Sequence, residues 1–183
     1  MCCLKYTLDD EKRSISPGVS PGPVKNSEQL LRVLHQPEHI LDGEVIESAI
    51  PLGDLKDRGF SVDRRGYLNL TILREKVAEQ VRRNPRKREA SFSSELLCGN
   101  LRELFNEDKG ERDFLVVDEI DESEKPINPA HAAVYSANES GKAGLRKLRG
   151  KLVREINKKI ISHEILLQQL ASTSNCTDNF SQD

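Results

Sequence analysis

The stretch from Phe114 to Tyr135 constrains the fold of this chain more than any other. It opens with the unbroken apolar run Phe114-Leu115-Val116-Val117 and passes through Asp118-Glu119-Ile120-Asp121 and Pro126. It then resumes as Asn128-Pro129-Ala130-His131-Ala132-Ala133-Val134-Tyr135. Two short apolar runs bounded by acids and prolines read as two buried strands joined by a polar loop. Each proline locks φ and removes a backbone donor, so the loop between them has a pre-set shape. Such strands need a sheet, and the helical segments elsewhere in the chain must pack against it.

The clearest helix is set by Leu70, Leu73, Val77 and Val81, with Glu75, Lys76, Glu79, Arg82 and Arg83 elsewhere on the wheel and Pro85 as its stop. Leu145, Leu148, Leu152, Ile156 and Ile160 predict a long C-terminal helix rich in Lys and Arg, continuing through Ile165 and Leu170 despite Gly150. A short helix is expected after Asn26, a cap with Gln29 three residues on, using Leu30, Leu31, Val33 and Leu34 and ending before Pro37. Another is expected over residues 94–105, with Leu96, Leu97, Leu101 and Leu104. Residues 44–50 and 60–62 read as strands, with one or two helical turns between Pro51 and Gly59. The fold class is therefore α+β: one compact domain in which a small mixed or antiparallel sheet packs against four or five helices. Residues 1–25, rich in Ser, Pro and Gly, read as a flexible leader. Residues 26–171 form the domain, and 172–183 read as a disordered polar tail.

A chain of 183 residues suits one domain with a real core. Its 28 Lys and Arg nearly balance 30 Asp and Glu, so no global charge draws it to nucleic acid or to an anionic membrane. With 4% aromatics and no Trp, it lacks stacking platforms for single-stranded nucleic acid. Cys2 and Cys3 are adjacent while Cys98 and Cys176 are isolated, which gives neither a CxxC pair nor a zinc spacing. There is no apolar signal region and no apolar run near membrane-spanning length, so a cytoplasmic protein with reduced thiols and no membrane partner is expected.

Several apparent motifs fail on their chemistry. Ser140-Gly141-Lys142 resembles the end of a phosphate-binding loop, but Ser136 stands where that loop needs Gly and Ala143 where it needs a hydroxyl. Asp118, Glu119, Asp121, Glu122 and Glu124 do not follow a calcium-loop register and read as a solvated acidic loop. His35 and His39 are separated by Pro37, so they straddle an element end instead of sharing a helix face, and His163 supplies no third ligand. No metal or cofactor is expected.

Two features carry functional expectations. His131 opens a strand after a proline-braced loop, a setting that presents a titratable group. Cys98, on a predicted helix, is its candidate thiol partner, with Asn128 or Asp118 to orient the ring, although Leu96-Leu97-Cys98 also reads as an ordinary core face. The second feature is the basic segment Arg82-Arg83-Asn84-Pro85-Arg86-Lys87-Arg88 at a helix end. On these grounds the first expectation is a small binding or accessory protein that contacts a protein or nucleic acid through basic helix faces. The alternative is a small hydrolase or transferase centred on His131, with Cys98 or an acidic residue as partner. No complete catalytic motif decides between them.

Overall fold

Alternation of side chains on adjacent strands organises the molecule. A computed structural model of the chain describes residues 4–107, 109–121, 126–138 and 140–177. Its centre is a six-stranded antiparallel sheet of β1 (Gln29–Pro37), β2 (Phe60–Arg64), β3 (Arg88–Leu97), β4 (Phe114–Val117), β5 (His131–Ser136) and β6 (Ile160–Ser162), in the order β6-β3-β1-β2-β5-β4. The α-helices are α1 (Leu8–Glu11), α2 (Leu70–Arg83), α3 (Cys98–Arg102), α4 (Lys142–Asn157) and α5 (His163–Thr177). The α+β class holds, with a sheet larger than the small one expected from the sequence.

Three expected helices differ. Residues 29–37 form β1, whose Leu30 and Leu34 face one side while Leu31 and Val33 face the other. A strand buried on both faces is apolar without alternation, and over so few residues that pattern matches a helix equally well. The helix expected over 94–105 begins inside β3, which pairs with β1 from Gln29↔Leu97 to Pro37↔Arg88 and leaves only Cys98–Arg102 helical. At the C-terminus one predicted helix becomes two. Gly150 lies inside α4, and the break comes after Asn157, where β6 joins the sheet edge beside β3. Of the strand expected at 44–50, only Glu44–Val45 pairs, in a two-stranded ribbon with Ile40–Leu41.

The two faces of the sheet are covered differently. On one, α4 lays Leu145, Leu148, Leu152 and Ile156 over Leu30, Leu34, Phe60, Val62, Phe114, Val116, Ala132 and Val134. On the other, α2 (Leu73, Val77) and α5 (Leu166, Leu170) cover Leu31 and Val33. Tyr6 and Ile15, from the N-terminal segment, pack on Leu115, Val117, Ala133 and Tyr135.

Residues 4–25, read from composition as a flexible leader, thus lie against the sheet, held mainly by polar contacts. Buried Glu11 accepts hydrogen bonds from Arg102 (2.9 Å), from Arg112 (2.9 and 3.0 Å) and from the backbone N–H of Val116 (2.7 Å). Arg112 also donates to the Phe114 carbonyl at 3.1 Å. These contacts satisfy groups that edge strand β4 turns outward, as a protected sheet edge requires. Arg64, 1% exposed, donates to both oxygens of Glu28 (2.7 and 2.8 Å), to the Gly22 carbonyl (2.6 Å) and to Asp118 (3.1 Å). Asp118 in turn accepts the hydroxyls of Ser14 and Ser20. Composition weighs apolar burial, whereas this segment is fastened by charge-assisted hydrogen bonds. At the other end α5 continues to Thr177, and residues 178–183 lie outside the described region. Among the described residues no helix is long and apolar enough to cross a membrane.

Candidate active site

Alternation along β2 and β5 places a polar pair on the face opposite α4. Phe60 and Val62 point toward α4, so Ser61 and Asp63 point away, and on β5 the same parity puts His131 on their side. The register Asp63↔His131 and Ser61↔Ala133 makes Ser61 and His131 diagonal neighbours. Ser61 Oγ lies 2.8 Å from His131 Nε2. The other ring nitrogen, Nδ1, meets the backbone carbonyl of Glu119. A carbonyl only accepts, so Nδ1 carries the proton, and in the neutral ring Nε2 is left to accept from the Ser61 hydroxyl.

This pair lines a cleft of about 600 Å³ whose other walls are Lys5, Ile15, Ser16, Arg58, Gly59, Glu119, Ile120 and Asp121. The N-terminal segment supplies one wall and the loop after β4 another. Glu119 is not a solvated loop acid. Its carboxylate takes Lys5 (2.6 Å), the Tyr6 hydroxyl (2.9 Å) and the Tyr135 hydroxyl. Burial first, and then the adjacent Glu119 charge, push both phenol pKa values upward, so both remain donors. Asp118 is likewise buried, against Arg64. Glu122 and Glu124 lie outside the described residues.

Gly59, where the chain enters β2, has φ 84°, and a Cβ there would lie 2.6 Å from the Tyr135 hydroxyl and 2.7 Å from Ala133 Cβ. Both the conformation and the space call for glycine at the edge of the cleft.

The structure does not bring the other expected residues to the imidazole ring. Cys98 is fully buried in the apolar cluster on the α4 side of the sheet, and burial pushes its thiol up to about 11, the opposite of an activated thiolate. Its place beside His131 is taken by Ser61. Asn128 donates to Asp63 (2.7 Å) and accepts from the Ala130 N–H (3.1 Å), while its backbone carbonyl takes the His131 N–H (3.2 Å). It shapes the turn into β5 and supports Asp63, which Lys76 also contacts at 3.0 Å. The ring of His131 is oriented by the Glu119 carbonyl instead of by Asn128 or Asp118.

In the basic segment, Arg82 and Arg83 both pair with Glu79, and Arg88 is bound to Glu38 and to the Gln80 carbonyl. Arg86 and Lys87 are exposed in a short 3-10 turn and form no ion pair among the described residues. Several C-terminal helix cations are also neutralised, Lys151 by Asp113 at 2.5 Å and Lys158 by Glu155 at 2.7 Å. His35 and His39 are enclosed. His35 contacts Ser91 (3.1 Å) and Gln80 (2.9 Å), and His39 Nδ1 accepts the His35 N–H (3.1 Å). Among the described residues no group of three or more His, Cys, Asp or Glu is placed to hold a metal ion.

Ser61 was visible in the sequence only as the polar member of Phe60-Ser61-Val62. The alternation marks its face but not its partner, which lies 70 residues away. No family model matches the chain, and neither a curated protein nor a solved structure matches it.

Proposed function

We infer that the chain is a small acyl hydrolase or transferase in which Ser61 is the nucleophile and His131 the general base. The supporting observation is the 2.8 Å contact between Ser61 Oγ and His131 Nε2, in a cleft, with Nδ1 committed to the Glu119 carbonyl. In this arrangement the imidazole removes the hydroxyl proton as Oγ attacks an acyl carbonyl. It then returns that proton to the leaving group as the acyl bond breaks. Water or an acceptor hydroxyl repeats the sequence on the acyl-serine and restores Ser61. The Glu119 carbonyl dipole stabilises the imidazolium less than a carboxylate would, which favours activated acyl groups such as esters or thioesters. The Gly59 N–H is occupied by the Asp54 carbonyl at 2.8 Å, and the two cations lining the cleft are already paired, Arg58 with Asp54 at 2.8 Å and Lys5 with Glu119 at 2.6 Å, so a developing oxyanion would meet only partly neutralised charge, which again favours activated acyl groups.

A fluorophosphonate probe with peptide mapping tests this reading. Ser61 should be labelled, while Ser61→Ala and His131→Gln should abolish labelling and leave the melting temperature within a few degrees of the parent. Labelling that persists in His131→Gln, or that maps to another serine, removes Ser61 and His131 from the chemistry.

A second reading is favoured by the exposed Arg86 and Lys87, which form no ion pair among the described residues: a binding or accessory role in which they contact a polyanionic partner, protein or nucleic acid. Replacing Arg86 and Lys87 by Ser should flatten the salt dependence of polyanion binding by about one unit of slope per lost phosphate contact. Arg82→Ser and Arg83→Ser should do less, because Glu79 already neutralises those side chains. Identical binding by parent and Arg86→Ser/Lys87→Ser protein across a salt series eliminates this surface.

A further inference from the structure

The single residue Glu119 touches the proposed chemistry twice. Its backbone carbonyl receives Nδ1–H of His131, and its side chain is fastened by groups from two separate parts of the chain. From the N-terminal segment come Lys5 Nζ, 2.6 Å from Oε1, and the Tyr6 hydroxyl, 2.9 Å from the same oxygen. From β5 comes the Tyr135 hydroxyl, on Oε2. The fasteners also bind one another. Lys5 donates to the Tyr135 hydroxyl at 3.0 Å and lies 5.1 and 5.3 Å from the centres of the Tyr6 and Tyr135 rings, which meet edge to face at 5.1 Å. The Glu119 side chain is thus tied to both segments, and the peptide that carries its carbonyl is held as well through the Ile120 N–H, which donates to Ser16 Oγ at 3.2 Å.

A histidine's working tautomer is set by the partner of its second nitrogen. Here that partner is a loop carbonyl, which by itself would follow the motions of the loop. Resting on the Ser61–His131 reading, we propose that Glu119 is the positioning residue of the site. Its carboxylate, held by Lys5, Tyr6 and Tyr135, fixes its own carbonyl on Nδ1 and so keeps Nε2 unprotonated toward Ser61. Residues 5 and 6 thereby belong to the machinery of the cleft and not only to its wall, and detaching them releases the imidazole.

The experiment reads the tautomer directly, in the full-length chain, from ring nitrogen-15 shifts of His131, assigned by the signals missing in His131→Gln. In the parent at a pH where the ring is neutral, Nδ1 should be protonated and Nε2 bare. In Glu119→Ala both tautomers should be populated, and fluorophosphonate labelling of Ser61 should slow by about tenfold, well short of the ~10⁴ that a wrong tautomer costs an established serine hydrolase. Glu119→Gln keeps one oxygen to accept from a tyrosine hydroxyl, with its NH2 donating in place of the other oxygen, and should restore part of both signals. A Glu119→Ala spectrum that keeps the parent tautomer overturns the positioning role. If Glu119→Ala does not fold, Lys5→Met removes one fastener from a side chain 37% exposed. A partial shift toward the mixed tautomer supports the role, and an unchanged ring overturns it. A tautomer shift in these variants together with a parent whose Ser61 is never labelled supports the positioning role and overturns the acyl-transfer reading.

Discussion

The two faces of the sheet are closed by different physics. Over the α4 face, four apolar side chains at helical spacing seal a continuous cluster. Over β4 and β5 on the opposite face, a segment without helical periodicity contributes only Tyr6 and Ile15 to the apolar contact. Beside the cleft it is held by Lys5 and Tyr6 on Glu119, and elsewhere along its length by Arg64 with Glu28 and Asp118 and by Glu11 with Arg102 and Arg112. An apolar seal leaves no room for water, whereas a polar fastening satisfies donors and acceptors only where they occur and leaves gaps between them. The cleft with Ser61 and His131 lies in such a gap. The continuous apolar packing lies on one face of this molecule, and its candidate chemistry on the other.

The largest expected effect sharpens that division. Arg64→Ala should cost about 3–5 kcal/mol, because it strands the carboxylates of Glu28 and Asp118 without their counter-charge. Hydrogen exchange should show the loss concentrated in residues 4–28. Protection that stays unchanged there in the variant would mean that the segment is held by something other than its charges.

On the sealed face, Leu152→Ala should cost about 2–4 kcal/mol by emptying a fully buried site, and the penalty should spread over all six strands in chemical denaturation. Ile15→Ala, at a half-buried position on the polar side, should cost about 1 kcal/mol and shift the cleft segment alone. Equal penalties for Leu152→Ala and Ile15→Ala would erase the distinction between the faces.

Acid should separate the regions by titration. Burial, and then nearby Arg32, lower His39 from 6.5 to about 4. As pH falls through that interval the unfolded chain takes up a proton that the folded chain refuses, so stability declines by at most about 1.4 kcal/mol per pH unit for this group. His39→Gln should flatten the slope there. Glu11 and Glu28 act lower. Burial works to raise both pKa values, but bonds from Arg112 and Val116 to Glu11, and from Arg64 to Glu28, outweigh it and hold both below their ordinary 4.5. Their stabilisation is complete above 4.5 and is lost as pH drops through the lowered values. Proteolysis at stepped pH should therefore release the N-terminal segment only below the ordinary carboxylate range. Release near neutral pH would contradict the carboxylate fastening.

The smallest effect is expected at Lys12, whose contact with Asp9 (2.9 Å) lies between two exposed side chains. Lys12→Ala should change stability by less than about 0.5 kcal/mol. A larger change would show that α1 contributes more to the polar closure than its buried Glu11.

Legibility in the sequence followed the periodicity. Leu70, Leu73 and Val77 declared α2 because an amphipathic surface helix repeats one apolar face. The runs at 114–117 and 131–136 declared β4 and β5 because acids, prolines and asparagine bound them. β1 was misread as a helix because a central strand buried on both sides loses its alternation, and residues 94–97, the end of β3, were joined to the short helix that follows them. His131 stood out through the Asn128-Pro129 entry to its strand. Ser61 did not, because a single hydroxyl on a short strand acquires meaning only once the register sets a histidine diagonally beside it. Cys98 was drawn toward His131 by sequence order, and the sheet puts the two on opposite faces.

By itself, then, the sequence determined the α+β class, the amphipathic helix over 70–83, the two strands around the acidic loop and the presence of one histidine at a braced strand start. These depend on local chemistry: side-chain spacing, proline geometry and turn residues. Only the tertiary structure decided that Ser61 meets His131, that the Glu119 carbonyl holds the ring, and that Lys5 and Tyr6 hold Glu119 from 114 and 113 residues away. Strand register, and the choice between a solvated charge and a buried ion pair, are settled by the free energy of the whole packed chain, because each depends on neighbours that no local stretch of sequence specifies.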